Sequence, residues 1–255
     1  HKGAAMRLEV PLPVDLVEEL FAFWTEIFGG SAEPDLPSGV FLGHENEHNR
    51  NTVYLDRRDE ELAGTCVLAV SRKAPMLGGL GEVATSPEFR SSGIATELCR
   101  QAVDQFREGG GQALFLGTEN PEAARVYYRL GWRKLAGANV MANISSRDSP
   151  EAFLVDYFLD LGPATVRAAM PEDRIPMIPL LQVPHDWQVL DSNTAMISTR
   201  YAVQGLCMSL YRRYAALAGD DRGVAVGDDL AGNGAGAAGD RRADLHAGHA
   251  VLPGQ

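Results

Sequence analysis

The sequence predicts an α/β (α+β) protein built around a mixed sheet with flanking helices, followed by a smaller, partial second α/β unit. Three observations carry this. Two apolar strand-like runs are joined by a charged turn, a strand, helix, strand, helix succession follows them, and the pattern restarts after a polar break near residue 145. The chain has 255 residues, which at roughly 150 per domain corresponds to about 1.7 domains, so one full domain and an incomplete second are expected.

His1 to Ala5, ahead of Met6, read as an expression remnant and stay outside the fold argument. After a short apolar run from Leu8 to Pro13, the residues Leu16, Val17, Leu20, Phe21, Trp24, Ile27 and Phe28 recur at helical spacing until Gly29-Gly30 stops them. Ser31 to Asn51 is polar, carries Pro34 and Pro37, and reads as loop with one short helical turn. Glu33, Asp35, Glu45 and Glu47 collect there. Thr52 to Leu55 and Leu62 to Val70 are antiparallel strands around the turn Asp56 to Glu61, and the second is apolar on both faces and therefore central.

A further strand is expected near Gly81 to Thr85, ended by Pro87. Ile94, Leu98, Ala102, Val103 and Phe106 mark a second helix that stops at Gly109 to Gly111, and Ala113 to Gly117 is a short buried strand. Asn120 is a natural N-cap with Pro121 at the first helical position, and that helix runs through Ala124, Tyr127 and Leu130 to Gly131. Trp132 to Ile144 supplies one or two closing strands.

These elements form a domain over residues 6–144. Residues 145–164 are a linker whose helix, Glu151 to Leu161, ends at Gly162-Pro163. A second unit, 165–218, opens with a strand at Val166 to Ala169, continues through Pro171-Glu172-Asp173 and the apolar positions Ile175, Ile178, Leu180 and Leu181, and has a helix at Leu206 to Leu217. Its polar features are Asp173, His185-Asp186-Trp187 and Tyr211 to Tyr214; the unit is read as structural or acceptor-shaping, and its lone His as packing or surface. From Gly219 to Gln255 Gly and Ala dominate and periodicity vanishes, so a weakly ordered tail is expected. One reading is that the tail is not in the native reading frame.

Composition excludes several function classes. Hydrophobic residues are 45% and charged residues 22%, an ordinary globular balance. Lys plus Arg is 23 against 34 for Asp plus Glu, a net charge of -11, and that field opposes nucleic acid and anionic membranes while leaving room for small anions held by backbone dipoles. Cys66, Cys99 and Cys207 are widely spaced, which argues against a disulfide framework or a thiolate metal site and for a reducing, cytoplasmic compartment. No apolar run reaches the roughly 20 residues of a membrane-spanning helix, and the start lacks the apolar stretch of a signal peptide.

The most specific chemical signal is Thr85-Ser86-Pro87-Glu88-Phe89-Arg90-Ser91-Ser92-Gly93-Ile94-Ala95-Thr96, set between a strand and a helix. A turn of small residues there leaves successive backbone N–H groups uncovered at a helix N-terminus, where they and the helix dipole can hold a diphosphate. Gly93 lets the backbone approach closely, and Ala95 does nearly as well.

This stretch resembles the acetyl-CoA-binding motif [RQ]-x-x-G-x-[GA] of the GNAT (Gcn5-related) N-acetyltransferase superfamily, in Arg90, Gly93 and Ala95. Further on, Asn120, Ala123, Ala124, Tyr127, Gly131 and Trp132 follow in the order that family uses. The resemblance spans about Met6 to Ile144, and the opening of the second unit suggests a tandem arrangement in which no second motif follows. It implies a GNAT-like, mostly antiparallel sheet and acetyl-CoA as co-substrate. It also implies main-chain contacts of the pantetheine arm with Val83, Ala84 and Thr85, a diphosphate held at Arg90, Ser91, Ser92, Gly93, Ile94, Ala95 and Thr96, and a cofactor hydrogen bond at Asn120. Tyr127 corresponds to the residue that protonates the departing thiolate; its alternative role is packing. Glu82 and Glu119 are candidates for the general base, each with the alternative of a solvated or paired carboxylate.

The expected activity is N-acetyl transfer to the primary amine of a small molecule, and dimer formation is left open. The rival is a non-catalytic module that has kept the cofactor loop. Two other motifs are weaker. His44-Glu45-Asn46-Glu47-His48 satisfies HExxH, but Glu47 is charged and the surroundings read as loop, so an exposed polar loop is expected and no metal. Gly79-Leu80-Gly81-Glu82-Val83-Ala84 mimics a dinucleotide fingerprint, yet a strand follows it where a helix is required.

Overall fold

The computed structural model describes residues 5–29, 38–135, 140–159, 166–168, 170–182, 189–191, 196–198 and 225–227. In chain order the elements are β1 (Ala5–Glu9), α1 (Val14–Phe28), β2 (Asn49–Arg58), β3 (Glu61–Ser71), β4 (Leu77–Thr85), α2 (Ile94–Glu108), β5 (Ala113–Gly117), α3 (Pro121–Arg129), β6 (Arg133–Lys134), β7 (Val140–Ile144), α4 (Pro150–Tyr157), β8 (Val166–Ala168), α5 (Met177–Gln182), β9 (Val189–Asp191), β10 (Met196–Ser198) and β11 (Ala225–Gly227).

A seven-stranded sheet in the order β1-β2-β3-β4-β5-β7-β6 organises the chain up to Ile144. Every neighbouring pair is antiparallel except β4 and β5, which are parallel because α2 carries the chain back between them. Period-two alternation on β3 divides the core. Cys66, Leu68 and Val70 face α2 and α3, sharing a cluster with Leu98, Ala102, Phe106, Tyr127 and Trp132. Val67 faces α1, where Val17, Leu20 and Trp24 pack with Phe41, Val53 and Leu55. Further along that second face, Ala69, Leu77 and Phe115 meet Phe153 and Leu154 of α4.

Local chemistry explains the boundaries. β2 and β3 turn through Asp59 and Glu60, both at positive φ (48° and 74°), the backbone shape that suits a tight hairpin to strand twist. α1 stops where the Gly29 amide bonds the Thr25 carbonyl. Asn120 caps α3, its Oδ1 accepting from the amides of Glu122 (2.9 Å) and Ala123 (3.4 Å).

The segment after the linker is fastened to this domain. Arg174 reaches Glu45 in a forked pair at 2.7 and 2.9 Å through its Nη2 and 3.1 Å through Nε, with both side chains almost wholly buried. Asn49 Nδ2 donates to the Pro171 carbonyl at 2.8 Å, and Lys73 pairs with Glu172 at 3.2 Å. Ile175 and Ile178 enter the cluster that holds Phe115 and Phe153. The loop expected to be polar and exposed around Glu45 is therefore partly buried, because an arginine distant in sequence neutralises it. β8 pairs with β11 and β9 with β10, both antiparallel. The expected helix at Leu206 to Leu217, His185 to Trp187, Tyr211 to Tyr214 and most of the tail lie outside the described residues.

Candidate active site

β4 and β5 are paired only at Leu77 with Ala113, Gly78 with Leu114 and Gly79 with Phe115. Beyond that, β4 runs on from Leu80 to Thr85 paired with β3 alone, and β5 finishes at Leu116 and Gly117 paired with β7 alone. The two strands part, and a cleft opens at their carboxyl ends, where open α/β sheets place ligands. α2 follows β4 and α3 follows β5, so both helices begin at this end.

The Arg90 to Thr96 turn has the geometry of an anion cradle. Ser91 has φ +61° and Gly93 φ +89°, and this alternation turns successive amides the same way. No side chain caps α2 at Gly93. Among the described residues no backbone carbonyl outside the helix accepts from the amides of Ser91 to Thr96; the first bond is from Glu97 to the Gly93 carbonyl, at 3.0 Å. A Cβ on Gly93 would meet no heavy atom within 4 Å, so the turn is open on that side. Arg90, Ser91 and Ser92 are exposed, and the Ser92 hydroxyl donates to the Phe89 carbonyl, holding the turn closed. These donors fit a diphosphate.

The helix start is set down on the sheet through Gly64. A Cβ there would lie 2.5 Å from Ile94 Cγ2 and 3.1 Å from the Ala84 carbonyl oxygen, so only glycine lets the first residue of α2 settle over β3.

β4 carries a bulge beside the cleft. Thr65 pairs with Ala84 and Val67 with Gly81, so Glu82 and Val83 together oppose Cys66. Glu82 sits at φ +48°, and it, Val83 and Thr85 are half-buried while Ala84 is buried. Tyr127 lies on the α2 and α3 side, 5% exposed, with its ring 6.0 Å from that of Trp132. Burial first, and then the nearby Cys99 and Cys66 thiols, push its phenol well above the usual tyrosine range, so the hydroxyl keeps its proton. Glu119 is exposed on the turn before α3. Asn120 commits its Oδ1 to capping, which leaves Nδ2 as the atom able to donate to a ligand.

The fold thus brings Glu82 to Thr85, Arg90 to Thr96, Glu119 and Asn120 to one end of the sheet, with Tyr127 on the helix that starts there. Sequence reasoning missed the bulge and its anchor, Thr65, because nothing local marks a hydroxyl that acts on another strand. In the HExxH stretch, Glu45 is held by Arg174, and His48 Nδ1 lies 3.8 Å from Glu172. Among the described residues no group of three His, Cys, Asp or Glu is placed to hold a metal ion, and no helix is long and apolar enough to cross a membrane.

The sheet is mixed and parts at its one parallel pair, and uncovered amides open the helix that follows. Residues 15–132 match the model of the Acetyltransferase (GNAT) family, and the chain carries a GNAT acetyltransferase domain. That family uses acetyl-CoA. Among solved structures, the ribosomal-protein-S18-alanine N-acetyltransferase from Escherichia coli is similar at 15% identity and a TM-score of 0.41, over 57% of this chain and 97% of that one. The GNAT family N-acetyltransferase YhbS from Escherichia coli, solved in complex with CoA, is 18% identical with a TM-score of 0.41, over 56% of this chain and 81% of that one. Escherichia coli ElaA is 15% identical with a TM-score of 0.43, over 55% and 99%. No curated protein matches the sequence.

Proposed function

We propose that this protein is an N-acetyltransferase that moves the acetyl group of acetyl-CoA to the primary amine of a small molecule by direct attack, in a reducing, cytoplasmic setting where Cys66 and Cys99 stay free. The observation that carries the reading is the parting of β4 from β5 beyond Gly79 and Phe115, with the uncovered amides of α2 and the buried Tyr127 helix at the same end.

Acetyl-CoA supplies an activated thioester. The amides of Ser91 to Thr96 hold its diphosphate, with Arg90 adding positive charge at the turn. Asn120 Nδ2 donates a further hydrogen bond. Main-chain groups of Val83, Ala84 and Thr85 align the pantetheine arm, and strand N–H groups polarise the acetyl carbonyl. The incoming amine must be neutral, so a carboxylate accepts its proton. Glu82, half-buried on the strand that borders the cleft, is preferred over the exposed Glu119. The amine nitrogen forms its bond to the carbonyl carbon, the bond to sulfur breaks, Tyr127 gives its proton to the thiolate, and the second proton shed by the nitrogen as the amide forms restores the Tyr127 phenol. The net negative charge of -11 favours a cationic acceptor. The transferase domain we place at residues 6–144, followed by the linker 145–164 and the partial second unit from 165.

The test is acetyl-CoA-dependent thiol release over a panel of primary amines, with Tyr127→Phe alongside. The variant should lower kcat by about 100- to 10,000-fold and leave the KM for acetyl-CoA nearly unchanged. Unchanged turnover would remove Tyr127 as the acid, and a parent protein that binds CoA without turnover on any amine would favour the non-catalytic module.

A further inference from the structure

The bulge at Glu82 is a strained shape, since at φ +48° a residue other than glycine sits in the left-handed region, where its Cβ crowds the backbone. A side chain of the neighbouring strand holds it. Thr65 of β3 is wholly buried, and its hydroxyl donates to the Glu82 carbonyl at 2.7 Å while accepting the indole N–H of Trp24 at 2.9 Å. Trp24 is itself fixed in α1 by Phe21 and Phe41, with ring centroids 5.3 and 5.1 Å away. A hydroxyl has a single proton to give, and the indole can only donate, so the direction of both bonds is determined: indole to hydroxyl, hydroxyl to bulge. Each bond polarises the next in a dry interior.

We propose that Thr65 is a positioning residue of the transferase reaction, and that Trp24 sets the orientation of its hydroxyl. The proposal rests on the transferase reading. By holding the Glu82 carbonyl, Thr65 fixes the twist of β4 from Glu82 to Thr85, and with it the aim of the main-chain groups that line the cleft and of the Glu82 carboxylate. Placement of reacting groups within about 1 Å is worth roughly 100-fold in rate, so a relaxed bulge acts on turnover far more than on binding of the diphosphate by the amides of the Arg90 to Thr96 turn. The same chain of bonds ties α1, on one face of the sheet, to the strand that borders the cleft.

The experiment compares Thr65→Val, Thr65→Ser and Trp24→Phe, reading kcat and KM for acetyl-CoA, the melting temperature, and amide hydrogen exchange over residues 80–85 against residues 98–108. Thr65→Val should lower kcat by roughly 10- to 100-fold with less than about a threefold change in KM, and should speed exchange in 80–85 alone. Thr65→Ser restores the hydroxyl and should keep at least about half the parent kcat, while Trp24→Phe should fall between them. Equal losses in Thr65→Val and Thr65→Ser, or a lowered melting temperature with kcat intact, would reduce Thr65 to a packing residue and overturn the proposal. If the parent shows no turnover with any amine, the transferase reading fails by itself. The exchange data then decide the remainder: acceleration confined to 80–85 upholds Thr65 as the anchor of the bulge, and uniform or absent acceleration overturns it.

Discussion

Replacing Arg174 with methionine should destabilise the transferase domain severely, although residue 174 lies beyond the matched stretch 15–132. The guanidinium and Glu45 are 1% and 5% exposed and meet through contacts at 2.7, 2.9 and 3.1 Å. A fully formed buried pair roughly breaks even against hydrophobic replacement, but removing one member takes the forked counter-charge away from a desolvated group, at a cost of about 3 to 5 kcal/mol. In a domain of this size each kcal/mol moves the melting temperature by roughly 2 to 4 °C, so a loss near 4 kcal/mol lowers it by about 8 to 16 °C. Thermal melts of the parent, Arg174→Met, Glu45→Leu and the double variant form a closed cycle. The double variant should lose less than the sum of the two single ones, since neither charge is then left facing the site of its lost counterpart. If Arg174→Met melts with the parent, or the two losses simply add, the pair does not hold residues 170–178 on the domain and the reasoning fails.

Two other outcomes are expected. Gly93→Ala should cost about 1 to 2 kcal/mol in urea unfolding, because its φ of +89° is strained for alanine while the new methyl strikes nothing within 4 Å; the KM for acetyl-CoA should rise, and an unchanged KM would move the diphosphate away from this turn. Stability should also fall at alkaline pH. Burial raises the Cys66 thiol and the Tyr54, Tyr127 and Tyr157 phenols above their ordinary values, so as pH climbs past about 8.5 for the thiol and 10 for the phenols the unfolded chain ionises first, unfolding releases protons, and the folded state loses ground. Urea midpoints measured from pH 7 to pH 11 check this, and a flat profile would contradict it.

Features with a local chemical cause were legible in the sequence. Asn120-Pro121 marks the start of α3 because a side-chain oxygen must take the first amides and proline suits the first turn, and the structure places both there. The apolar stripe from Ile94 to Phe106 and the glycines after it bound α2 in the same way. β4 begins at Leu77, earlier than the expected Gly81, because Gly78 and Gly79 carry no strand preference of their own and are drafted into the sheet by β3 and β5. The Glu45 and Arg174 pair left no trace either: the two residues are 129 apart in sequence, and each in isolation reads as a solvated surface charge. At the site, glycine and small residues announced the amide cradle, whereas the bulge depends on a threonine in the neighbouring strand, which no local sequence pattern marks.

The three-rung pairing of β4 with β5 has a consequence for how such a site can vary. A cleft made by strands that stop bonding to one another presents peptide groups, and peptide groups are the same whatever side chains they carry. Most positions along it are therefore free to drift in sequence so long as the rungs at Leu77, Gly78 and Gly79 hold and the chain turns correctly at Gly93. Variation is then absorbed by the outward-facing residues and the loops, which can be reshaped while the peptide groups along the parted strands stay as they are.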